Sequence, residues 1–592
     1  MMIIKLYSNR KEFEDVCFHD GLNVVLGEIH LEKDREKDTH NLGKSTLCQL
    51  LDFCLLKKRD NHFFLFSHKD LFQEYIFYLE IQLKDGRYLT IRRAVAEPSK
   101  VWLLLTADRG VDGRDLEDDS WTHGRLPFER AKMLLDGLLS YEALQPWDYR
   151  KILTYLFRGQ DAFAEVFRPP YRGKDRDWKP FLLHVMGFDS NLFERQYELE
   201  ADIDRLKEQE RHLVGQLSDG SDDSGEIDAL IAIKQREVDE LQSFLNEFEL
   251  EPHDQAAVRE LVDEVDVRSI ELNDRRYEVS YAISQIEKSL EKEKLLFSTV
   301  EAERLFEEAG VLFEGQIKRS FDQLLAFNAD ITEERRSYLA EDLEDARAEL
   351  KEIEGNLQKL DRRRSGLLGQ LESEDAITKY KSATNSLVER KTELEGIKHH
   401  REQIRALQAT RREIAAKKNG LTSLDMQIQD EIDRVSSVEQ TGLFSRLRRE
   451  FDDIVFKVIS HHGVLSVSTN QDGHVEFRAD VLSQGGLSTN QDEGSTYKKL
   501  LCVAFDLALL IAHDGNGFPD FVFHDDVFAG LDKRKKENLR DVMRACGNKG
   551  VQQIVTAIDS ELPASEFFDE GEITLRLHDK GDSGRLFKIP EW

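Results

Sequence analysis

The sequence predicts an α/β domain that is formed by both ends of the chain and divided by a long antiparallel coiled coil. Three observations favour this architecture: strand-like runs at both ends, a heptad repeat in the middle, and a highly charged composition with only 10 prolines in 592 residues. Few prolines and many charges are typical of long, solvated helices. These patterns predict residues 1–190 and 441–592 as the two halves of the α/β domain and residues 191–440 as the coiled coil.

Length and charge limit the class of protein. At about 150 residues per domain, the chain is long enough for several domains, each with its own core. The 83 lysines and arginines against 115 aspartates and glutamates give a formal charge of −32, so nucleic acid can bind only at a local basic patch. The 5 cysteines include no Cys-x-x-Cys pair, which favours a reducing compartment and argues against structural zinc.

The N-terminal residues MMIIKLYSNRKEFED contain acidic side chains before any apolar signal-peptide core. No apolar run along the chain approaches the length of a membrane span. We therefore expect a cytoplasmic protein without membrane partners.

The first half of the α/β domain alternates strand and helix patterns. LNVVLG, residues 22–27, is a continuous apolar run of the kind that forms a buried strand. YIFYLEIQL and DGRYLTIRRAV are strand-like runs that meet at the turn dipeptide Asp85-Gly86, and they predict a β-hairpin.

The middle of the chain has apolar residues at alternating steps of four and three. The clearest repeat comprises Leu339, Leu343, Ala346, Leu350, Ile353, Leu357, Leu360, Leu367 and Leu371. An earlier repeat runs from Leu199 to Phe248. A stripe this narrow is too thin to fill a globular core, so it favours a coiled coil over the alternative, the surface helices of a bundle. The heptad lapses near residues 297–337, where we expect the chain to reverse.

Strand patterns return in the second half of the α/β domain. GVLSVSTNQDGHVEFRADV predicts a hairpin that turns at Asp472-Gly473. It is followed by the apolar helix KLLCVAFDLALLIA and by two strands, FPDFVFHDD and VQQIVTAI. A helical hairpin between the halves would bring motifs from both ends of the chain into one domain.

A phosphate-binding pattern lies between the first buried strand and the helix STLCQLLDFCLL. It comprises Asn41, Leu42, Gly43, Lys44, Ser45 and Thr46. In such a P-loop the glycine lets the backbone approach a phosphate, Lys44 reaches the β and γ oxygens, and Ser45 holds Mg²⁺. The strict pattern has glycine five residues before Gly43, where this chain has Asp38. The alternative is a chance GKST sequence at an ordinary helix start.

Paired acids follow the strand FVFHDD. Asp525 comes directly after a buried strand, and a carboxylate at the carboxyl end of such a strand can hold Mg²⁺. Asp526 would lie beside an attacking water as its general base. ATPases of this kind usually have Glu there, and Asp is one methylene shorter, which predicts slow hydrolysis. The alternative is that the pair caps the following helix, a role that Asp532 fills equally well.

With these residues the chain resembles the ABC-class head ATPases with coiled-coil insertions, namely the SMC proteins, RecN and the double-strand-break-repair ATPases. The order of parts matches over essentially the whole chain. The resemblance implies an ABC-type P-loop ATPase head formed by both chain ends, with ATP and Mg²⁺ as cofactors. It also implies a homodimer in which the P-loop of each head meets the signature helix of the other.

The resemblance assigns roles to single residues. Asp525 matches the Mg²⁺ aspartate, Asp526 the catalytic acid and Asp532 the D-loop aspartate. Gln160 in LFRGQDAFAEVF is similar to the Q-loop glutamine that contacts Mg²⁺. Ser495 in EGSTYKKLL is similar to the signature serine that contacts the γ-phosphate held by the opposite head.

The chain also departs from these ATPases. Thr496 and Tyr497 replace the signature glycines, and the switch histidine after IVT is absent, with Thr556 or Asp559 as substitutes. DTHNLGKST, the long loop after LGE and the His-Asp pair resemble instead a bacterial family of SMC-like ATPases labelled as a domain of unknown function. Members occur in ABC-three-component gene clusters thought to serve anti-phage defence, which implies a companion effector protein as a partner.

Double-stranded DNA is a further candidate partner. The basic runs that would contact it are Lys57, Lys58 and Arg59, and Arg446, Arg448 and Arg449. Ordinary solvated faces are the alternative for these runs.

The resulting hypothesis is a dimeric ATPase that couples slow hydrolysis and head closure to DNA or partner-protein engagement. The alternative is an ATP-locked coiled-coil scaffold or sensor with little turnover. A GTPase or small-molecule kinase is disfavoured because the chain has no Asn-Lys-x-Asp guanine motif.

Overall fold

The structure is a computed structural model, and it describes residues 1–29, 42–168, 173–216, 224–247, 255–296, 315–368, 374–437, 441–482, 495–514, 517–564 and 566–589. Over these residues the chain is a mixed α/β protein with long helices. Contacts divide it into two compact units. The terminal unit comprises Met1–Glu200 and Gly420–Trp592, and the middle unit comprises Ala201–Asn419.

The described elements follow each other in this order. The strands are β1 (Met2–Ser8), β2 (Val16–Cys17), β3 (Leu22–Glu28), β4 (Ile76–Gln82), β5 (Tyr88–Ala94), β6 (Lys100–Thr106), β7 (His123–Pro127), β8 (Phe157–Arg158), β9 (His462–Thr469), β10 (Val475–Leu482), β11 (Phe521–His524), β12 (Gln552–Ile558) and β13 (Ile573–His578). The helices are α1 (Lys44–Cys54), α2 (Phe64–Ser67), α3 (Lys69–Phe72), α4 (Phe128–Leu139), α5 (Tyr149–Leu156), α6 (Asp175–Val185), α7 (Ser190–Gln216), α8 (Ser224–Glu247), α9 (Gln255–Leu296), α10 (Gly315–Leu368), α11 (Glu374–Ser436), α12 (Leu443–Ile459), α13 (Ser495–His513) and α14 (Lys533–Asn548). None of these helices combines the length and apolar character needed to cross a membrane.

A parallel sheet at the centre of the terminal unit joins the two ends of the chain. Its strand order is β13-β3-β12-β11-β8, so β3 and β8 from the first part pair with strands from the last part. Every residue of β12 is buried, and so is every residue of β3 except Glu28. Continuous apolar strands are expected in a parallel sheet, because both of its faces are covered.

The predicted hairpins are confirmed. β4 and β5 pair antiparallel around Gly86, and β9 and β10 pair antiparallel around Gly473. Both glycines have positive φ, +86° and +82°, which matches the tight turns that their sequences predict. The first hairpin is part of a six-stranded antiparallel sheet with the order β2-β1-β4-β5-β6-β7, which the sequence analysis did not separate from the parallel sheet.

In the middle unit the heptad positions face neighbouring helices. Along α10, Ile353 is buried and Leu343, Leu350 and Leu357 are half-buried, whereas most residues between them are exposed. Ion pairs align α7 antiparallel to α11; they join Asp202 to Lys417 at 2.7 Å and Glu210 to Arg411 at 2.7 Å.

The four helices from α8 through α11 do not form a simple hairpin of two antiparallel arms. α8 runs antiparallel to α11, α9 runs antiparallel to α10, and α9 runs in the same direction as α11. The side-chain pairs that show these directions are Asp228–Arg401, Gln242–Lys391, Asp266–Arg364, Glu287–Arg347 and Tyr281–Gln403, with Tyr277 against Gly396.

The sequence pattern did not resolve α9 because its inward positions are partly polar. Asn273 is buried and Ser269 half-buried, so the hydrophobic repeat is interrupted there. The reversal predicted at 297–337 stays a prediction: residues 297–314 lie outside the described residues, and 315–337 belong to α10.

Candidate functional site

α1 begins directly after Gly43, in a backbone conformation that favours glycine. The φ of Gly43 is +97°, and a Cβ there would lie 2.7 Å from the Cβ of Leu586. The amide of Leu586 donates a hydrogen bond to the carbonyl oxygen of Leu42 at 3.2 Å. The last part of the chain therefore packs against the entry to α1. Lys44, Ser45 and Thr46 form the first turn of α1, whereas Asn41 lies outside the described residues.

Lys44 is buried at the carboxyl end of β3, with only 5% of its surface exposed. A Cβ on Gly27 would lie 3.5 Å from Lys44 Nζ, so glycine makes room for this side chain. Burial lowers the pKa of Lys44. The carboxylates whose charge opposes this shift are Asp526, Asp525, Glu561 and Asp559. Lys44 therefore lies within the electrostatic influence of four carboxylates.

Asp525 connects the two ends of the chain at this edge of the sheet. It follows β11 and is fully buried. Ser45 Oγ donates a hydrogen bond to its Oδ2 at 2.5 Å, and Thr556 Oγ1 on β12 donates to its Oδ1 at 2.5 Å. Burial raises the pKa of Asp525, while the hydrogen bonds from Ser45 and Thr556 and the charge of Lys44 oppose that shift.

Asp526 has an unusual backbone conformation. Its φ of +56° lies in the left-handed region, which Asp tolerates better than most residues but which still costs energy. Its amide donates to Thr556 Oγ1 at 2.8 Å, and Lys499 Nζ donates to its carbonyl oxygen at 2.6 Å. Its Oδ1 is buried and accepts no hydrogen bond from the described residues. That oxygen is therefore available to a water or a ligand.

Gln160 lies at the same edge of the sheet. β8 pairs in parallel with β11, so the turn that begins at Gln160 follows a strand end next to Asp525. Gln160 is exposed, and it lines a cavity of about 510 Å³ together with Ser45. The structure thus brings Lys44, Ser45, Gln160 and the two aspartates to one edge of the sheet.

The start of α13 and the loop before α14 adjoin this edge. Ser495 is the first residue of α13, and its side chain lies outside what the structure describes. A Cβ on Gly530 would lie 3.1 Å from Thr496 Oγ1, so the loop after the paired aspartates packs against this helix start. Asp532 caps α14 by accepting a hydrogen bond from the amide of Lys535 at 3.0 Å, which is the capping alternative that its sequence position suggests.

The donor set suits Mg²⁺. Ser45 Oγ, the Asp525 carboxylate and the Gln160 side-chain oxygen are the hard oxygen ligands that this ion prefers. Within the described ranges, no group of three or more His, Cys, Asp or Glu side chains could hold a metal. Mg²⁺ usually takes one or two protein carboxylates and completes its shell with water and substrate phosphates.

Two residues of this site, Lys499 and Glu561, were not predicted from the sequence. Lys499 lies four residues after Ser495 in α13, and that helical spacing could have indicated it in the sequence. Glu561 lies near Lys44, and its Oε2 is buried without a hydrogen-bond donor among the described residues. It follows β12 in a short turn, and nothing in its local sequence distinguishes it from an ordinary surface acid.

Comparison with known protein families gives a match to the last part of the chain. The family described as an uncharacterised protein conserved in bacteria, DUF2326, matches residues 454–591. This segment contains the paired aspartates and α13. The expected resemblance to a bacterial domain-of-unknown-function family is therefore confirmed for this part of the chain. No curated protein matches the sequence.

Among solved structures, the chain is similar to heads of SMC proteins. An Smc head domain with a coiled coil and joint from Pyrococcus yayanosii is 13% identical, with a TM-score of 0.34, and the match covers 94% of this chain and 92% of that one. An Smc head with an extended coiled coil from Pyrococcus furiosus, bound to the C-terminal domain of ScpA, is 12% identical, with a TM-score of 0.32 and coverage of 95% and 91%. The chain is thus SMC-like by similarity.

Proposed function

We propose that the chain is an SMC-like ATPase that binds Mg-ATP where its two ends meet. The observation that carries this proposal is the 2.5 Å hydrogen bond between Ser45 Oγ and Asp525 Oδ2, two residues 480 positions apart. A hydroxyl at the start of a helix after a glycine loop, beside a strand-end carboxylate, is the arrangement that P-loop NTPases use to hold Mg²⁺.

Each residue has a role that follows from its position. Lys44 and the first amides of α1 bind the phosphate oxygens, because the ammonium and the helix N-terminus both favour negative charge. Ser45, Asp525 and Gln160 would hold Mg²⁺, which would neutralise charge on the phosphates. Thr556 keeps the Asp525 carboxylate in place through its hydrogen bond.

Asp526 is the proposed general base. Its buried Oδ1 accepts a proton from the attacking water while the water oxygen bonds to the terminal phosphorus. The bond from that phosphorus to the bridging oxygen breaks, which releases ADP and phosphate. Asp526 lies within the electrostatic influence of Lys44, because its charge opposes the lowering of the pKa of Lys44 by burial.

The wider part of the proposal rests on the resemblance to ABC-class head ATPases. Two heads would form a homodimer in which Ser495 and Asp532 of one copy complete the nucleotide site of the other. Head closure would then be coupled to double-stranded DNA or to a companion effector protein in DNA maintenance or anti-phage defence. Energy for closure comes only from contacts made more strongly in the closed state.

A second candidate is an ATP-locked scaffold or sensor with little turnover. The contact that favours it is the hydrogen bond from Lys499 to the carbonyl of Asp526, which restrains a residue already one methylene shorter than the usual Glu. A restrained, short base would bind nucleotide without activating water efficiently.

The binding test compares ATP affinity of the wild type with that of Lys44→Ala, using the exposed Lys11→Ala as a control for loss of one positive charge. We expect Lys44→Ala to lose binding by at least about 100-fold, because a buried charge-assisted contact is removed. Unchanged affinity in Lys44→Ala would refute the site. Phosphate release measured with and without duplex DNA then separates the ATPase from the scaffold.

A further inference from the structure

Three buried polar side chains lie directly behind the proposed Mg²⁺ site. They are Arg158 at the end of β8, Asp506 in the apolar helix α13, and His524 at the end of β11. Side-chain exposure is 2% for Arg158 and 0% for the other two. Asp506 is the acid that interrupts the apolar run of α13, and no role in nucleotide binding explains it.

All five N–H donors of Arg158 are used. Nε and one Nη2 hydrogen form a bidentate pair with the Asp506 carboxylate at 2.6 and 2.9 Å. The remaining donors bind the carbonyl oxygens of Ala162, Glu165 and Val166. The guanidinium therefore fixes the turn that follows Gln160.

The same residues hold the strand end that precedes the aspartate pair. The carbonyl oxygen of Arg158 accepts a hydrogen bond from the amide of Asp525 at 2.8 Å. Asp506 Oδ2 also lies 3.0 Å from His524 Nε2. Because a carboxylate accepts only, His524 donates from Nε2, and its buried Nδ1 has no partner among the described residues. One buried network thus ties α13 to both the Gln160 turn and Asp525.

We propose that Arg158, Asp506 and His524 are positioning residues that set the geometry of the Mg²⁺ ligands. This inference rests on the proposed function. A buried ion pair is not in itself evidence of stability, since apolar residues of similar volume often serve as well. The network instead holds the main chain on either side of two ligands, Gln160 and Asp525, and groups that orient metal ligands typically change metal affinity about 10–100-fold when replaced.

The test measures the Mg²⁺ concentration that gives half of the Mg²⁺-dependent gain in affinity for a fluorescent ATP analogue. In Arg158→Lys, an ammonium cannot form the bidentate pair and also reach three carbonyls. We expect the half-saturating Mg²⁺ concentration to rise by at least about tenfold, with affinity in EDTA unchanged. The matched control is Arg93→Lys: Arg93 is also fully buried and donates to three carbonyls, those of Phe53, Lys57 and Pro98.

If Arg158→Lys does not fold, the neutral double variant Arg158→Met/Asp506→Leu provides the test. It removes both charges together, so neither charge is left uncompensated. The same rise in the Mg²⁺ requirement is expected there. Wild-type Mg²⁺ dependence in the folded Arg158 variants, or an equal rise in Arg93→Lys, would overturn the inference. If the wild type itself binds no ATP, the proposed function fails instead.

Discussion

Thr556 and Ser45 bind different oxygens of the Asp525 carboxylate, and the Thr556 hydroxyl donates a hydrogen bond to Oδ1 at 2.5 Å. The same hydroxyl accepts a hydrogen bond from the amide of Asp526 at 2.8 Å. One hydroxyl on the neighbouring strand therefore orients both aspartates. The sequence predicts Thr556 only as a substitute for a missing histidine, whereas its observed contacts are with the aspartate pair.

Thr556→Val should destabilise the protein by about 1–3 kcal/mol, because it leaves a buried carboxylate oxygen and a buried amide without this partner. Urea unfolding measures the change. Thr410→Val is the control, since Thr410 is also buried but, among the described residues, its hydroxyl bonds only the carbonyl of Ala406 in its own helix. We expect it to change stability by less than about 1 kcal/mol. Equal effects of the two substitutions would contradict the role given to Thr556.

Asp525→Asn should change the pH dependence of stability. Burial raises the pKa of Asp525 above 3.8, so the folded protein binds this proton more tightly than the unfolded chain does. Ionisation of Asp525 then costs stability as pH rises from 3.8 through the raised pKa. The Asn variant avoids this cost, so its advantage over the wild type should grow across that window and then level off.

The pH experiment is done without nucleotide or Mg²⁺. Asp112→Asn is the control, for which the pH dependence of stability should change in the opposite direction. Burial of Asp112 favours a higher pKa, but hydrogen bonds from Arg114 outweigh it, and its pKa is lowered. Stability from Asp112 is therefore present above 3.8 and lost as pH falls through the lowered pKa. An advantage of Asp525→Asn that shrinks with rising pH would show that its carboxyl is not destabilised by burial.

Gly43→Ala should cost about 2–4 kcal/mol, from a left-handed backbone and from the close approach of the new Cβ to Leu586. ATP binding should be lost with it. Gly86→Ala separates the two causes: Gly86 has a similar φ of +86°, and a Cβ there would meet nothing within 4 Å. We expect only about 1–2 kcal/mol for Gly86→Ala. Thermal unfolding measures the stability of both variants. Similar losses of stability in the two would mean that the contact with Leu586 is unimportant.

Asp526→Asn should retain ATP and lower turnover by at least about 100-fold, because an amide cannot accept the proton. Asn tolerates positive φ as well as Asp does, so the backbone should be preserved. Phosphate release and size-exclusion chromatography with ATP measure turnover and the lifetime of the dimer, which we expect to increase. Unchanged turnover would indicate that another group, such as the buried Glu561, activates the water.

Local patterns predicted much of the parallel sheet and of the site. β3, α1, β11 and β12 are continuous apolar or strongly patterned segments next to recognisable loops, so their order along the chain could be predicted. β8 could not be predicted, because a strand of two residues has no hydrophobic period. The Arg158–Asp506–His524 network also escaped prediction, since its members are separated by 348 and 18 residues and meet only in three dimensions.

The middle unit shows the same limit. Heptads in α10 and α8 identified helices that need partners, but a repeat does not say which helix the partner is. The helix that pairs with α10 is α9, and its polar inward residues interrupt the hydrophobic repeat by which it would have been recognised. Long-range pairing is thus the part of this fold that composition and period leave open.

The most direct test of the account is a double-mutant cycle on the Mg²⁺-dependent gain in ATP affinity, with Ser45→Ala, Asp525→Asn and the double variant. If both side chains hold one ion, each substitution alone should remove most of the gain, and the double variant should lose little more. Affinity measured in EDTA should stay within about threefold of the wild type, because Lys44 remains. A wild type without any Mg²⁺-dependent gain, or losses that simply add in the double variant, would contradict the claim that the two ends of the chain form one nucleotide site.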